Sequence, residues 1–153
     1  MSNFVEKTRP MPSPQITADD RQTIVDLIHR YFWLVDHGLA DQTAACFTAT
    51  AKLTFGPGAP KPGTIEGSAI GAAMVARSKQ IEVTTRHVVS NIALAVIDGS
   101  RVRAYSLLTL FRSADASRDT YPASVADVDD IVVRDADTWR IQERTISPIF
   151  NRV

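Results

Sequence analysis

Hydrophobic positions early in the chain recur at helical spacing. Ile24, Leu27, Ile28, Tyr31, Leu34 and Val35 follow at steps that place them on one stripe of an α-helix. Thr17 with Asp20 three residues on resembles a capping box, and Gly38 is a natural residue to follow the helix end. A second short helix is predicted over Leu39–Phe47 and a short strand over Ala51–Phe55. The stretch GPGAPKPG then places three prolines and three glycines between Gly56 and Gly63, which predicts a loop. Ser68 to Gln80 is rich in small residues and returns to helical period, with Ile70 and Met74, and Ile81 just beyond, as candidates for its apolar side.

The second half changes period. Thr84–Ile97, Arg101–Arg112, Ala123–Arg134 and Thr138–Phe150 alternate or run apolar and are rich in Val, Ile, Thr and Tyr. Turns such as Asp98-Gly99-Ser100 and Asp135-Ala136-Asp137 separate them, and short turns between long strands imply antiparallel pairing. Helices first and a meandering curved sheet afterwards make an α+β protein with the helices on one face of the sheet. Residues 1–15, with Pro10, Pro12 and Pro14, read as an extended arm lacking the apolar segment of a signal peptide, and residues 16–153 as a single domain.

Composition narrows the function. A chain of 153 residues holds one domain with a real core, and 17 basic against 17 acidic residues leave no field to draw it to nucleic acid or an anionic membrane. The longest apolar runs, Ile92–Ile97 and Leu107–Phe111, are far too short to cross a bilayer. The single cysteine, Cys46, forbids an intramolecular disulfide and fits a cytoplasmic protein. The expected partner is a small apolar molecule, with no nucleic acid and no membrane. Phosphate-loop, dinucleotide, zinc-protease and serine-hydrolase motifs are missing, and the histidines at 29, 37 and 87 lack ligand spacing, so no metal or cofactor is expected.

A bent antiparallel sheet under a long helix leaves a concavity at its wider end, the natural ligand site. Period two puts Thr85, His87, Val89, Asn91 and Ala93 on one face of the first long strand. On the next strand, Tyr105, Leu107, Thr109 and Phe111 share one face and Ala104, Ser106, Leu108 and Leu110 the other; both are apolar enough to be buried. Arg144 meets either an acid in the pocket or solvent. Trp33 and Trp139 read as packing residues, His29 and His37 as exposed, and Cys46 as a small buried hydrophobe.

The segments IVDLIHRYFWLVDHGLADQTAACFTATAKLTF, IEGSAIGAAM, TTRHVVSNI and TWRIQERTI occur in that order. Together they resemble the SnoaL-like branch of the nuclear-transport-factor-2-like superfamily over about residues 17 to 152. The resemblance implies a cone: a curved antiparallel sheet with one long and two shorter helices on its concave face, a deep pocket, and assembly as a homodimer or homotrimer. The apolar second face of the sheet points to the same association. Scytalone dehydratase and the bile-acid dehydratases, within the superfamily, resemble the chain through a tyrosine and an aspartate near the end of the first helix and a histidine on the first long strand, positions filled here by Tyr31, Asp36 and His87. Asn91 falls where an asparagine follows that histidine in relatives. The second pocket histidine of scytalone dehydratase has no counterpart, and the strand that carries the base of ketosteroid isomerase reads Ala51-Lys52-Leu53-Thr54-Phe55 without an acid.

The resemblance therefore implies a cofactor-independent dehydratase or isomerase acting on an apolar hydroxylated molecule, aromatic, polyketide or steroid-like. His87 is the expected general base, Asp36 its orienting partner and Tyr31 a donor to substrate oxygen, with Asn91, Phe55 and Val89 against the substrate. A carboxylate accepting from one imidazole nitrogen sets the tautomer and leaves the other as the base. Tyr31 reads equally as plain core. The alternative is a non-catalytic cone, binding a ligand or serving as the structural small subunit of a ring-hydroxylating dioxygenase.

Overall fold

The computed structural model describes residues 15–115 and 121–152; nearly all of the expected N-terminal arm lies outside them. Helix α1 spans Ala18–Asp36, a short 3-10 helix Ala40–Cys46, and helix α2 Ser68–Ser78. The strands are β1 (Phe47–Phe55), β2 (Gly63–Glu66), β3 (Thr84–Asp98), β4 (Arg101–Ser113), β5 (Pro122–Asp135) and β6 (Thr138–Asn151). They form one curved, unclosed sheet in the order β2-β1-β6-β5-β4-β3, with the three helices packed on it. The fold is the α+β cone expected.

Two details differ from the antiparallel expectation. β3 to β6 do pair antiparallel, but β1 runs parallel to β6, so the sheet is mixed. The chain reaches β1 from the helical layer, so no hairpin sets its direction. The end of the glycine- and proline-rich stretch also becomes β2, hydrogen-bonded antiparallel to β1.

Helix α1 is tied down along its whole length. At its start the Asp20 amide donates to Thr17 Oγ1 at 3.0 Å and the Thr17 amide to Asp20 Oδ2 at 3.3 Å, completing the capping box. Asp20 also accepts from Trp139 Nε1 at 2.8 Å and from Arg134 at 2.7 Å. Those two bonds, the tryptophan's first, hold its carboxyl well below the usual carboxylate range. At the other end Gly38 adopts φ 75°, and the Leu39 amide donates back to the Leu34 carbonyl, a Schellman-type stop. Between the ends Ile24, Ile28, Tyr31, Phe32, Leu34 and Val35 are buried.

The concave face is decided by burial. On β4, Val102, Ala104, Ser106 and Leu108 are buried, whereas Tyr105 is exposed on the outer face. Beneath α1 the core holds an ion pair. Arg144 and Asp130 are fully buried and joined by two bonds of 2.7 Å, Nε to Oδ1 and Nη2 to Oδ2. The guanidinium lies 4.5 Å from the Tyr31 ring centre and 4.9 Å from that of Phe32, so α1 rests on a cation. Arg144 is thus an interior residue, not a solvent-facing one. No helix among the described residues is long and apolar enough to cross a membrane.

Breaking a buried pair leaves a charge without a partner, which typically costs about 3–5 kcal/mol, whereas removing both charges is often close to neutral. Asp130→Ala is therefore expected to lower unfolding stability by about that amount, and Asp130→Leu combined with Arg144→Met to recover most of it. Urea denaturation of the three proteins measures both effects; a double variant as unstable as the single one would contradict this account.

Candidate functional site

The site begins where α1 ends. A carboxylate at a helix C-terminus is disfavoured by the helix dipole and needs donors to offset it. Asp36 has three. Its Oδ2 accepts from the backbone amide of His87 at 2.7 Å, and its Oδ1 accepts from Thr85 Oγ1 at 2.7 Å and from His87 Nδ1 at 2.6 Å. Thr85 and His87 can both reach it because they are two residues apart on one strand and share a face. The neighbouring Arg86 donates from Nη1 to the Asp36 carbonyl at 3.0 Å, satisfying one of the open carbonyls at the helix end.

An ionised carboxylate only accepts, so Nδ1 of His87 carries the hydrogen and Nε2 keeps its lone pair. The Asp36 side chain is 5% exposed and that of His87 13%. Burial alone would push the Asp36 carboxyl up; the bonds from the His87 ring, the His87 amide and Thr85 outweigh it and hold the group below its ordinary value.

His87 forms part of the wall of a cavity of about 270 Å³ between α1, α2 and the concave sheet. Its apolar walls include Val35, Phe55, Leu108, Leu110 and Ile146, and the glycine- and proline-rich segment contributes Ala59 and Pro60. On the other side of His87 a broader open groove of about 510 Å³ runs between α1 and the edge strand β3, past Trp33, Asp36, Arg86 and Val89. The cavity is smaller than the groove but less open, and its walls are mostly apolar, the features that favour desolvation of a small molecule.

Tyr31 also lines the cavity; its hydroxyl donates to the Met74 sulfur at 3.7 Å, a weak acceptor. Burial raises the phenol above its ordinary value, partly countered by Arg144, so the proton stays on the oxygen. Phe55 is at the cavity, whereas Val89 faces the open groove. Asn91 requires a correction: it does not share the His87 face. It has φ 53° at a register break between Ser90 and Ala93, and lies in a depression on the outer face with Tyr105, Asp127 and Asp129. Asparagine tolerates this left-handed backbone, and the extra residue of the bulge turns the following alternation over. Ile92 and Leu94 then pack against the core in place of Asn91 and Ala93.

Thr85 and Arg77 were not singled out from the sequence. Thr85 is buried and bonded to Asp36, and Arg77 Nη2 donates to Thr85 Oγ1 at 3.1 Å. The two-residue spacing of Thr85 and His87 was a legible signal for the first; nothing local marks the second. Trp33 is half-exposed and stacks on His37 with ring centres 4.1 Å apart, whereas Trp139 is the packing residue expected. Among the described residues no three His, Cys, Asp or Glu side chains gather as a metal site requires.

Because the folded Asp36 carboxyl lies below its ordinary value of 3.8, its bonds contribute stability above that pH and lose it as the pH falls from there toward the folded value. Asp36→Asn also sets an amide NH₂ against existing donors, an expected loss of about 1–3 kcal/mol at neutral pH. In urea melts the gap from the wild type should shrink as the pH drops below 3.8. A gap that stays constant into stronger acid would show that the carboxylate charge is not what matters.

A family model for a SnoaL-like domain matches residues 17–145. A search of curated proteins gives no match. Among solved structures, a nuclear-transport-factor-2-like protein with a cystatin-like fold from Novosphingobium aromaticivorans is similar at TM-score 0.73 and 21% identity, covering 88% of this chain and 85% of that one. A protein of the same organism assigned as a scytalone dehydratase is similar at TM-score 0.75 and 15% identity, covering 88% and 87%. The beta subunit of a protein assigned there as an aromatic-ring-hydroxylating dioxygenase follows at 0.72 and 16%, covering 86% and 90%. At these identities the solved structures speak for the shared fold, and the model match over most of the chain shows the family: the protein belongs to the SnoaL-like family.

Proposed function

We propose that the protein is a cofactor-independent lyase that removes water from a small hydroxylated, largely apolar molecule. The observation that carries the reading is the 2.6 Å contact between Asp36 and His87, with the ring in the wall of a mostly apolar cavity. His87 Nε2 takes the proton from the carbon beside the hydroxyl-bearing one. The electron pair of that C–H bond forms the new double bond, the C–O bond breaks, and the proton held on the imidazole passes to the departing oxygen as water forms. Asp36 stabilises the imidazolium between these steps. Tyr31, whose hydroxyl has only a sulfur partner among the described residues, donates to a substrate oxygen.

The cavity of about 270 Å³ is just under the roughly 300–1,000 Å³ usual for ligand pockets, which favours a one- or two-ring molecule over a four-ring steroid. A purely structural subunit has no need for an enclosed cavity beside an oriented histidine, so the dyad and cavity together speak for a ligand. Val88, Ile97 and Tyr105 leave apolar surface on the outer face of the sheet, and that face is our proposed contact for a homodimer.

Screening hydroxylated aromatic compounds by thermal shift, followed by ultraviolet detection of the new conjugated double bond, tests the reaction. His87→Ala is expected to lower kcat at least about 10²-fold on any substrate so found while the protein stays folded, in line with the usual worth of a general base. Turnover should also fall on acidification, since a protonated Nε2 cannot accept. Full activity in His87→Ala would remove the base assignment. Sedimentation should give a dimer at micromolar concentration that Val88→Asp dissociates; a wild-type monomer would rule out the proposed contact.

A further inference from the structure

The cavity wall is mostly apolar, yet two of its residues are arginines: Arg77 from the last turn of α2 and Arg112 near the end of β4. No aspartate or glutamate is among the described residues that line it. The inference rests on Arg77, which is half-buried. Its hydrogen bond is from Nη2 to the neutral hydroxyl of Thr85, and among the described residues no carboxylate lies within ion-pair distance of it. Asp36, on the far side of that hydroxyl, already has both oxygens occupied by His87 and Thr85. A guanidinium carries five N–H donors in a flat fork suited to a carboxylate. The Thr85 bond fixes the head of Arg77 beside the dyad, and Nε and Nη1 have no hydrogen-bond partner among the described residues.

We propose that the cavity takes an aromatic carboxylic acid of one or two rings, its carboxylate held by the Arg77 guanidinium and its ring against Val35, Phe55, Leu108 and Ile146. Asp36 ties Thr85 to His87, so a carboxylate bound at Arg77 sets the carbons next to it beside the imidazole. The inference names the substrate class of the cavity described above; it rests on that cavity's being a ligand site and not on the elimination of water.

Isothermal titration calorimetry with naphthoate and naphthalenemethanol, one ring system with and without the charge, tests it on the wild type, Arg77→Gln and Arg77→Met. The wild type is expected to bind naphthoate at least tenfold more tightly than the alcohol, since a charge-assisted bidentate contact is worth at least that ratio. Either Arg77 variant is expected to lose the preference while keeping the wild-type affinity for the alcohol, and the Met side chain retains the packing of the stem should the Gln variant fold poorly. A wild type that binds naphthoate no better than the alcohol, or an Arg77 variant that keeps the preference, overturns the proposal. If the preference holds and hydroxylated aromatic acids are not turned over, the elimination reading fails while the anchor stands.

Discussion

The carboxylate of Asp36 is the constraint on which the site depends. It ends the long helix where its own charge is unwelcome to the helix dipole, and it is kept there by donors from β3: a backbone amide, a hydroxyl and a ring nitrogen. One group therefore closes the cone between α1 and the sheet edge, sets the tautomer of His87 and directs Thr85 toward Arg77. A change at Asp36 acts on stability and on chemistry together, so its effects must be separated by pH and by comparison with changes at His87.

The rest of α1 is placed by two further polar contacts, in each of which both carboxylate oxygens are hydrogen-bonded. Asp20 binds the start of the helix to Trp139 and Arg134, and the Arg144–Asp130 pair lies under Tyr31 and Phe32. Acids at both ends and a cation in the middle hold the helix over the sheet, with apolar packing between them. Fixed at three points, α1 does not collapse fully onto the sheet at its wider end, and the space left there is the cavity. The same cation sets the position of Tyr31, whose hydroxyl then meets only a sulfur.

His87 stands between the cavity and the open groove beside β3. Its ring has mostly apolar walls on one side and lies near solvent on the other. Among the described residues the cavity wall has guanidinium groups and no acid, while the Asp36 carboxylate is taken up by His87 and Thr85.

The sequence by itself determined the helices and the four long strands, because each signal for them is local; β2 and the first residues of β1 were not read from it. The capping box at Thr17, the glycine at 38, the proline- and glycine-rich break after Phe55 and the alternation of the long strands lie within one helix or strand and need no partner to be read. Asp36 and His87 were also legible, through the resemblance of their segments to dehydratases of the superfamily. The tertiary structure alone decided what depended on neighbours far along the chain. The parallel pairing of β1 with β6 leaves no mark in either strand. The bulge at Asn91 moves that residue to the outer face, because one added residue inverts a period of two. Arg144 is interior only because Asp130, two bonds of 2.7 Å away on the adjacent strand, neutralises it there, and Arg77 becomes part of the site only because α2 packs its last turn beside Thr85. A charged side chain reads as surface from sequence, since the partner that makes its burial affordable is fixed by the fold and not by its neighbours in the chain.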